Sequence, residues 1–201
     1  MPDAPGLELI RGEIERDHPG AVLDTSFDRG QAALIVDPER VLDVLRWLKE
    51  APGHEYDFLS SLHAADYLPA EPRFGVHYEL LNRDRVERLR VKAMLGDPAA
   101  TESGASGQGP RTDAPARPQA SAPALPPETE PLPEIDSCVE LFPTASFQER
   151  EVFDFFGIVF RGHPELTRIL MPEDYVGWPQ RRDFPVGGEP VTFTFSERRY
   201  G

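Results

Sequence analysis

The residues best suited to chemistry are charged side chains gathered in the last third of a 201-residue chain. They are the acid-base-acid triplet Glu149, Arg150 and Glu151, then Asp154, Arg168, Arg181, Arg182 and Asp183. Guanidinium groups bind carboxylates through two parallel hydrogen bonds, so Arg168, Arg181 and Arg182 are candidates for ion pairs with carboxylates on a neighbouring protein. For Arg150, Glu151 and Asp154 two interpretations stay open, a solvated helix face and pairing across an interface.

No other residue pattern predicts a catalytic, cofactor or metal site. A flavin or nicotinamide site needs a strand, a glycine-rich turn and a helix, and a phosphate site needs a Walker loop; the sequence has neither. The five histidines lack metal-ligand spacing, and His63 with Asp66 lacks the third group of a catalytic set. The single cysteine, Cys138, excludes a disulfide or a cysteine-held iron–sulfur cluster within the chain and is expected to be buried.

A helix is expected to position the triplet. Ser146 and Glu149 have the spacing of a capping box, in which a hydroxyl and a carboxylate satisfy the first free amides of a helix. Gly157 is expected to end this helix. The prolines that follow favour extended, turn-linked backbone, and a segment this apolar can neither stay in water nor form a core alone. We therefore expect the chain after Gly157 to lie on a partner.

Residues 1–96 alternate between helix and strand patterns. Apolar spacing predicts a helix over residues 7–17, and Asp37 followed by Pro38 predicts the capped start of a second helix. Its expected buried stripe is Val41, Leu42, Leu45 and Leu48. Strands are predicted at 21–27, 31–36, 56–67, 73–81 and 85–95, the first two joined by a turn at 28–30. The mixture predicts an α+β fold, a two-layer sandwich of a mixed or antiparallel sheet with helices.

Composition divides the chain into three parts. Residues 97–134 contain nine prolines and no aromatic residue, which is too little apolar surface to fold, so we predict a disordered linker. It would join a sandwich domain, residues 1–96, to residues 135–201, a helix followed by an extended proline-rich docking tail.

Charge and hydropathy limit the partners and the compartment. The net charge of −14 argues against binding to nucleic acid or to anionic lipid. No apolar run approaches the roughly 20 residues of a membrane helix, and the amino terminus has no pattern of an export signal. The protein is therefore expected to stay in the cytoplasm.

Residues 149–185 also resemble a family signature. The stretch EREVFDFFGIVFRGHPELTRILMPEDYVGWPQRRDFP is similar to that of the 30 kDa-type, or C-type, subunit of respiratory complex I, NADH:quinone oxidoreductase. The matching positions are Glu149, Arg150, Glu151, Asp154, Gly157, Gly162, His163, Pro164, Arg168, Met171, Pro172, Gly177, Pro179, Arg182, Asp183 and Pro185. The family more often has His in place of Trp178 and Leu in place of Gln180. A weaker resemblance covers residues 58–95.

The resemblance implies a structural and assembly subunit that holds no cofactor of its own. FMN, iron–sulfur clusters and quinone would be held by partner subunits of a proton-pumping enzyme, whose peripheral arm lies on the cytoplasmic face of the bacterial plasma (inner) membrane. This chain would pack on the 49 kDa-type, or D-type, subunit, which helps form the quinone cavity. The expected partner interface comprises Glu149, Arg150, Glu151, Asp154, His163, Arg168, Met171, Tyr175, Trp178, Arg181, Arg182, Asp183 and Phe184.

Two alternatives stand beside this interpretation. An equivalent scaffold subunit occurs in membrane-bound hydrogenases and other donor-linked dehydrogenases, and only the neighbouring subunits would separate these from an NADH-dependent enzyme. A free-standing small enzyme that uses His63, Asp66 or the acid triplet is the other alternative, and it predicts turnover by the purified chain without partners.

Overall fold

The computed structural model describes residues 2–98 and 131–184. Its main element is a five-stranded sheet with the order β1-β2-β5-β4-β3. The strands are β1 Val22–Asp28, β2 Gln31–Val36, β3 Phe58–Asp66, β4 Phe74–Asn82 and β5 Glu87–Leu95. Neighbouring strands are antiparallel except for β2 and β5, which are parallel. The sheet is therefore mixed, and each strand lies within two residues of its predicted position.

Two helices of the first part form the second layer. They are α1 Ala4–Asp17 and α2 Val41–Glu50, and a short 3-10 helix, Pro38–Arg40, leads into α2. The Asp37 carboxylate accepts a hydrogen bond from the Glu39 amide at 3.1 Å, which confirms the predicted cap but places it on the 3-10 turn. Three of the four residues of the predicted stripe are fully buried, and Leu42 is only partly buried. Val44, which the prediction did not include, is fully buried instead.

The hydrophobic core lies between the helices and one face of the sheet. On β5 the side chains of Leu89, Val91 and Ala93 are fully buried, and they alternate with Arg90 and Lys92, which are half-buried. The buried residues of the helices belong to the same cluster as those of the strands. Burial of one large aliphatic side chain stabilises the fold by about 1.5–3 kcal/mol before the cost of ordering it. The predicted α+β two-layer sandwich is thus confirmed.

The turn between β1 and β2 follows its composition. Arg29 and Gly30 both have positive φ, 51° and 76°, as the two central residues of a tight hairpin turn of the primed type require. A glycine at the second position makes this backbone easy to adopt, because it has no Cβ.

A second, two-stranded sheet ties the later residues to the first part. Its parallel strands are β6 Glu134–Asp136 and β7 Val159–Arg161, and between them lies helix α3, Ala145–Phe156. Ile135 and Phe160 are buried in the same core as β4 and β5. The sequence did not predict these three-residue strands, and it assigned Glu134 to the linker. The rest of the predicted linker, residues 99–130, and the end of the tail, residues 185–201, lie outside the described residues.

Candidate functional site

Helix α3 carries the acid triplet, but its start is not a capping box. The helix begins at Ala145, after Thr144, and no side chain caps it. Glu149 is fully buried and accepts hydrogen bonds from the Ser137 hydroxyl at 2.6 Å and from the Cys138 amide at 2.8 Å. The predicted capping role of Glu149 is wrong because donors in the turn after β6 bind its carboxylate instead. Burial raises the pKa of this carboxyl group.

Asp154 organises the chain that follows the helix. Its carboxylate is fully buried and accepts hydrogen bonds from the amides of three successive residues, Ile169, Leu170 and Met171, at 3.1, 2.7 and 2.8 Å. The Arg168 guanidinium donates to the same carboxylate at 2.8 Å. Burial alone would raise the pKa of Asp154, but these hydrogen bonds together lower it.

Neither open interpretation of Asp154 survives, because a fully buried side chain is neither solvated nor able to contact a partner. The same holds for an intermolecular role of Glu149. Both acids act inside the chain. The interface prediction therefore now applies only to the members of the set that remain accessible.

Arginine side chains connect α3 to the turns beyond it. Arg168 donates to the carbonyl oxygen of Gly177 at 3.1 Å, and its guanidinium lies 4.7 Å from the centroid of the Trp178 ring. Arg150 donates to the carbonyl oxygen and the hydroxyl of Thr167 at 3.1 and 3.0 Å. Both guanidinium groups thus form hydrogen bonds within the chain. The sequence predicted that Arg168 pairs with a neighbouring protein, and for Arg150 it left pairing across an interface as one of two interpretations.

Residues 178–184 also pack within the chain, against the end of α3 and the end of β3. The Arg181 guanidinium donates to the carbonyl oxygen of Phe156 at 2.7 Å, and the Arg182 amide donates to the Asp66 carboxylate at 2.8 Å. Arg182 also donates from its side chain to the carbonyl oxygen of Leu68 at 2.6 Å. Up to residue 184, the chain after Gly157 therefore packs on its own domain, since groups at the ends of α3 and β3 supply its hydrogen bonds. That it also lies on a partner stays a prediction.

A buried arginine, which sequence reasoning missed, joins the sheet to this tail. Arg73 is 4% exposed and forms ion pairs with Asp66 at 2.8 Å, Asp97 at 2.7 Å and Asp183 at 2.8 Å. We call these four residues the Arg73 cluster. Its members are the last residue of β3, the residue before β4, a residue after β5 and a residue of the tail. The sequence signal for Arg73 was a charged residue directly before an apolar strand, but its partners Asp97 and Asp183 are distant from it in sequence.

The remaining predicted residues occupy turns or exposed positions. His163 accepts a hydrogen bond from the Glu165 amide at 3.0 Å through Nδ1, so Nε2 is the atom that donates to the carbonyl oxygen of Ser146 at 3.1 Å. These two bonds hold the turn at Pro164 against α3. Glu151 is exposed, and Met171, Tyr175 and Phe184 are half-buried. These residues stay candidates for a partner interface.

Large apolar side chains also remain exposed on α3 and the turns after it. Phe147 is 62% exposed and Leu170 is 60% exposed, with Val176 less so. The Arg150 guanidinium lies 5.8 Å from the Phe147 ring, and the Leu170 amide binds Asp154, so the internal polar contacts hold both residues in place. We call Phe147, Leu170 and Val176 the apolar surface of the signature segment, residues 145–184.

Gly157 allows the tail to approach the helix. It has a φ of +68°, and a Cβ built on it would lie 2.7 Å from Cδ2 of Trp178.

We expect Gly157→Ala to destabilise the protein by about 2–4 kcal/mol, from backbone strain and from displacement of Trp178. Gly162→Ala is the matched control, because Gly162 has a φ of +81° and open space around it. Urea unfolding should show the smaller loss for this control, about 1–2 kcal/mol; equal losses would contradict the role of the Trp178 contact.

The described residues contain no assembled metal or membrane site. Within residues 2–98 and 131–184, no group of three histidine, cysteine or acidic side chains could hold a metal ion. In the same ranges, no helix combines the length and apolar character needed to cross a bilayer. Cys138 is buried, as predicted, and burial raises the pKa of its thiol.

Comparison with known proteins supports the family resemblance that residues 149–185 indicate. A family model described as "Respiratory-chain NADH dehydrogenase, 30 Kd subunit" matches residues 34–106 and 122–190. The chain belongs to this family. The resemblance inferred from residues 149–185 is thereby confirmed, and the match extends over β2 to β5 as well.

Relatives of this 30 kDa-subunit family cover nearly the whole chain. The C-type subunit of NADH-quinone oxidoreductase from Roseiflexus castenholzii is 41% identical over 94% of this chain and 90% of its own length. The protein of the same name from Roseiflexus sp. strain RS-1 is 36% identical over 99% of this chain and 93% of its own length. A chain in the structure of the membrane-bound sulfane sulfur reductase, an archaeal respiratory membrane complex, shares the fold. It has a TM-score of 0.59 and 21% identity over 89% of this chain and 85% of that chain.

Proposed function

We propose that this chain is a cofactor-free structural and assembly subunit in the peripheral arm of a proton-pumping NADH:quinone oxidoreductase. It packs against the 49 kDa-type subunit at the quinone site, on the cytoplasmic face of the bacterial plasma (inner) membrane. FMN, iron–sulfur clusters and quinone are held by partner subunits. Membership of the 30 kDa-subunit family, and relatives named as C-type subunits of NADH-quinone oxidoreductase, support the complex.

The observation that carries the scaffold role is the use of the signature residues. Glu149 and Asp154 are buried and bind backbone amides, and Arg168 is held by Asp154. A catalytic acid or base must reach a substrate, whereas these groups are occupied in holding turns. The signature segment also exposes the three side chains of its apolar surface. Exposed apolar side chains held by rigid polar contacts are suited to docking on another protein.

Placing charge on the apolar surface should separate docking from folding. We expect Phe147→Asp with Leu170→Asp to leave the unfolding free energy of the isolated chain within about 1 kcal/mol of the original, because both side chains are mostly exposed. Retention in the complex should fall by on the order of thirtyfold, since each change places a charge in an apolar contact. Leu9→Asp is the control, as Leu9 is 69% exposed on α1. Equal retention of all variants would contradict docking through this surface.

The test of the proposed function is purification of the tagged chain from gently solubilised membranes of its host. The proposal predicts that the 49 kDa-type subunit and iron–sulfur subunits co-elute and that the eluate reduces quinone with NADH. Co-elution with hydrogenase subunits, and no oxidation of NADH, would instead indicate the related scaffold. A chain that elutes alone would refute both.

A further inference from the structure

The face of the sheet that points away from the helices carries a row of basic residues. On β5, Arg88, Arg90 and Lys92 alternate with the buried residues of the core. Their partners on β4 are Leu81, Glu79 and His77. Partners in register project from the same face of a sheet. We define the outer face as Ala33, Ile35, His63, His77, Glu79, Leu81, Arg88, Arg90, Lys92 and Met94.

The outer face has apolar side chains that the core does not use. Ile35 pairs with Lys92, and Met94 follows two residues later on the same face. Both are half-buried, and neither belongs to the hydrophobic cluster or to the residues packed against it. The face therefore combines apolar and basic side chains, unlike a fully solvated strand surface.

Two of the three cations lack a compensating acid among the described residues. Arg90 binds Glu79 at 2.5 Å. Within residues 2–98 and 131–184, neither Arg88 nor Lys92 forms an ion pair, and the Lys92 ammonium lies 4.2 Å from the centroid of the Tyr67 ring. The whole chain has a net charge of −14, so this is a local positive patch on an acidic protein.

Two stacked histidines adjoin the cations without adding charge. The rings of His63 and His77 are 5.0 Å apart and nearly parallel. Burial, with the nearby Lys92 and Arg90, lowers the pKa of His77 to about 3. Burial also lowers the pKa of His63, against the opposing effect of Glu79. Both rings are therefore neutral at pH 7, and the positive charge of the face comes from arginine and lysine.

We propose that the outer face is a docking surface for an acidic segment of a neighbouring subunit, with Arg88 and Lys92 receiving its carboxylates. The inference rests on the proposed function, because the neighbour is a subunit of the same complex. Apolar contact at Ile35 and Met94 supplies burial, and the positive charges of Arg88 and Lys92 select an acidic partner. An anionic membrane would fit the cations as well, but the net charge of −14 opposes its approach.

Zero-length crosslinking tests this directly, because the chain has only two lysines, Lys49 and Lys92. A carbodiimide joins an ammonium to a carboxylate only when the two already touch. Lys49 is an internal control, since it lies on α2 and donates to the carbonyl oxygen of Leu141 at 2.6 Å. The intact complex is treated with the carbodiimide, and crosslinked peptides are identified by mass spectrometry.

The expected product joins Lys92 to an aspartate or glutamate of another subunit. A crosslink of Lys92 to a second copy of this chain, or to its own acids alone, would overturn the inference. So would the absence of any Lys92 crosslink in a complex that retains all its partners. A chain that purifies without partners refutes the proposed function itself, so the two failures are distinguishable.

A charge-reversed variant gives a second readout in the same complex. Arg88→Glu with Lys92→Glu should reduce retention at about 0.15 M salt by on the order of tenfold, through repulsion of the acidic partner. Arg29→Glu with Arg46→Glu is the matched control, with the same charge change at exposed positions on the hairpin turn and on α2. Thermal unfolding of both free proteins checks folding. Equal retention of the two variants would overturn the inference.

Discussion

Replacing Asp154 by alanine should lower the free energy of unfolding by about 3–5 kcal/mol and release the turns after α3. The substitution leaves the amides of Ile169, Leu170 and Met171 without their acceptor and leaves the half-buried Arg168 guanidinium without its counterion. The sandwich itself should stay folded, because its core does not depend on this carboxylate.

Urea unfolding and limited trypsin digestion measure the two parts of this effect. Cleavage after Arg161 and Arg168 should be much faster in Asp154→Ala than in the original chain. Glu151→Ala is the control on the same helix, because Glu151 is exposed, and it should change the unfolding free energy by less than about 0.5 kcal/mol. Similar protease sensitivity in the two variants would show that Asp154 does not hold the signature segment.

The same loss should depend on pH. The pKa of Asp154 is lower in the folded protein than the value of about 3.9 expected in the unfolded chain. The unfolded state therefore binds the proton more tightly, and the stabilisation is complete above about pH 5 and is lost as the pH falls through the folded-state pKa. The difference between the original chain and Asp154→Ala should shrink accordingly below about pH 4.

Replacing Arg73 by alanine should lower the free energy of unfolding by a similar amount, roughly 3–5 kcal/mol. The Arg73 cluster joins the sheet to the tail through Asp183. Asp66, whose side chain is 1% exposed, would lose the guanidinium that binds it, and Asp97 would lose its ion pair with Arg73. Arg73→Lys should recover only part of the loss, because an ammonium cannot form the two-pronged bond that the guanidinium makes to Asp66.

Arg83→Ala is the matched control for Arg73→Ala. Arg83 pairs with Asp57 at the surface, its side chain is 64% exposed, and such pairs contribute about 0–1 kcal/mol. Denaturant unfolding of the three variants should therefore rank Arg73→Ala as least stable, then Arg73→Lys, then Arg83→Ala. Equal stability of Arg73→Ala and Arg83→Ala would mean that the buried cluster contributes nothing beyond a surface ion pair.

Elements set by neighbouring residues were predictable from the sequence. Asp37 before Pro38 indicated a capped helical start, Arg29-Gly30 indicated the hairpin, and the alternation on β5 indicated a strand with one buried face. Each depends on contacts within a few residues, which is the range that composition and periodicity report. The two-layer architecture followed from the order of these elements.

The roles of the signature acids were not predictable in the same way. Glu149 has the spacing of a cap, but its carboxylate reaches Ser137 and Cys138, which precede the helix. Asp154 binds amides 15 to 17 residues further along the chain. Such partners are chosen by tertiary packing, which local spacing does not encode. The family resemblance placed both acids in the expected partner interface, whereas in the structure both carboxylates accept hydrogen bonds from amides of this chain.

Hydrogen–deuterium exchange on the chain, free and within its complex, shows whether the signature segment is folded before it docks. We expect the amides of Ile169, Leu170 and Met171 to exchange slowly in both states, since Asp154 binds them within the chain. The turn around Val176 should become protected only in the complex, when the apolar surface docks. Rapid exchange of residues 169–171 in the free chain, with protection appearing only on assembly, would show instead that the partner folds this segment.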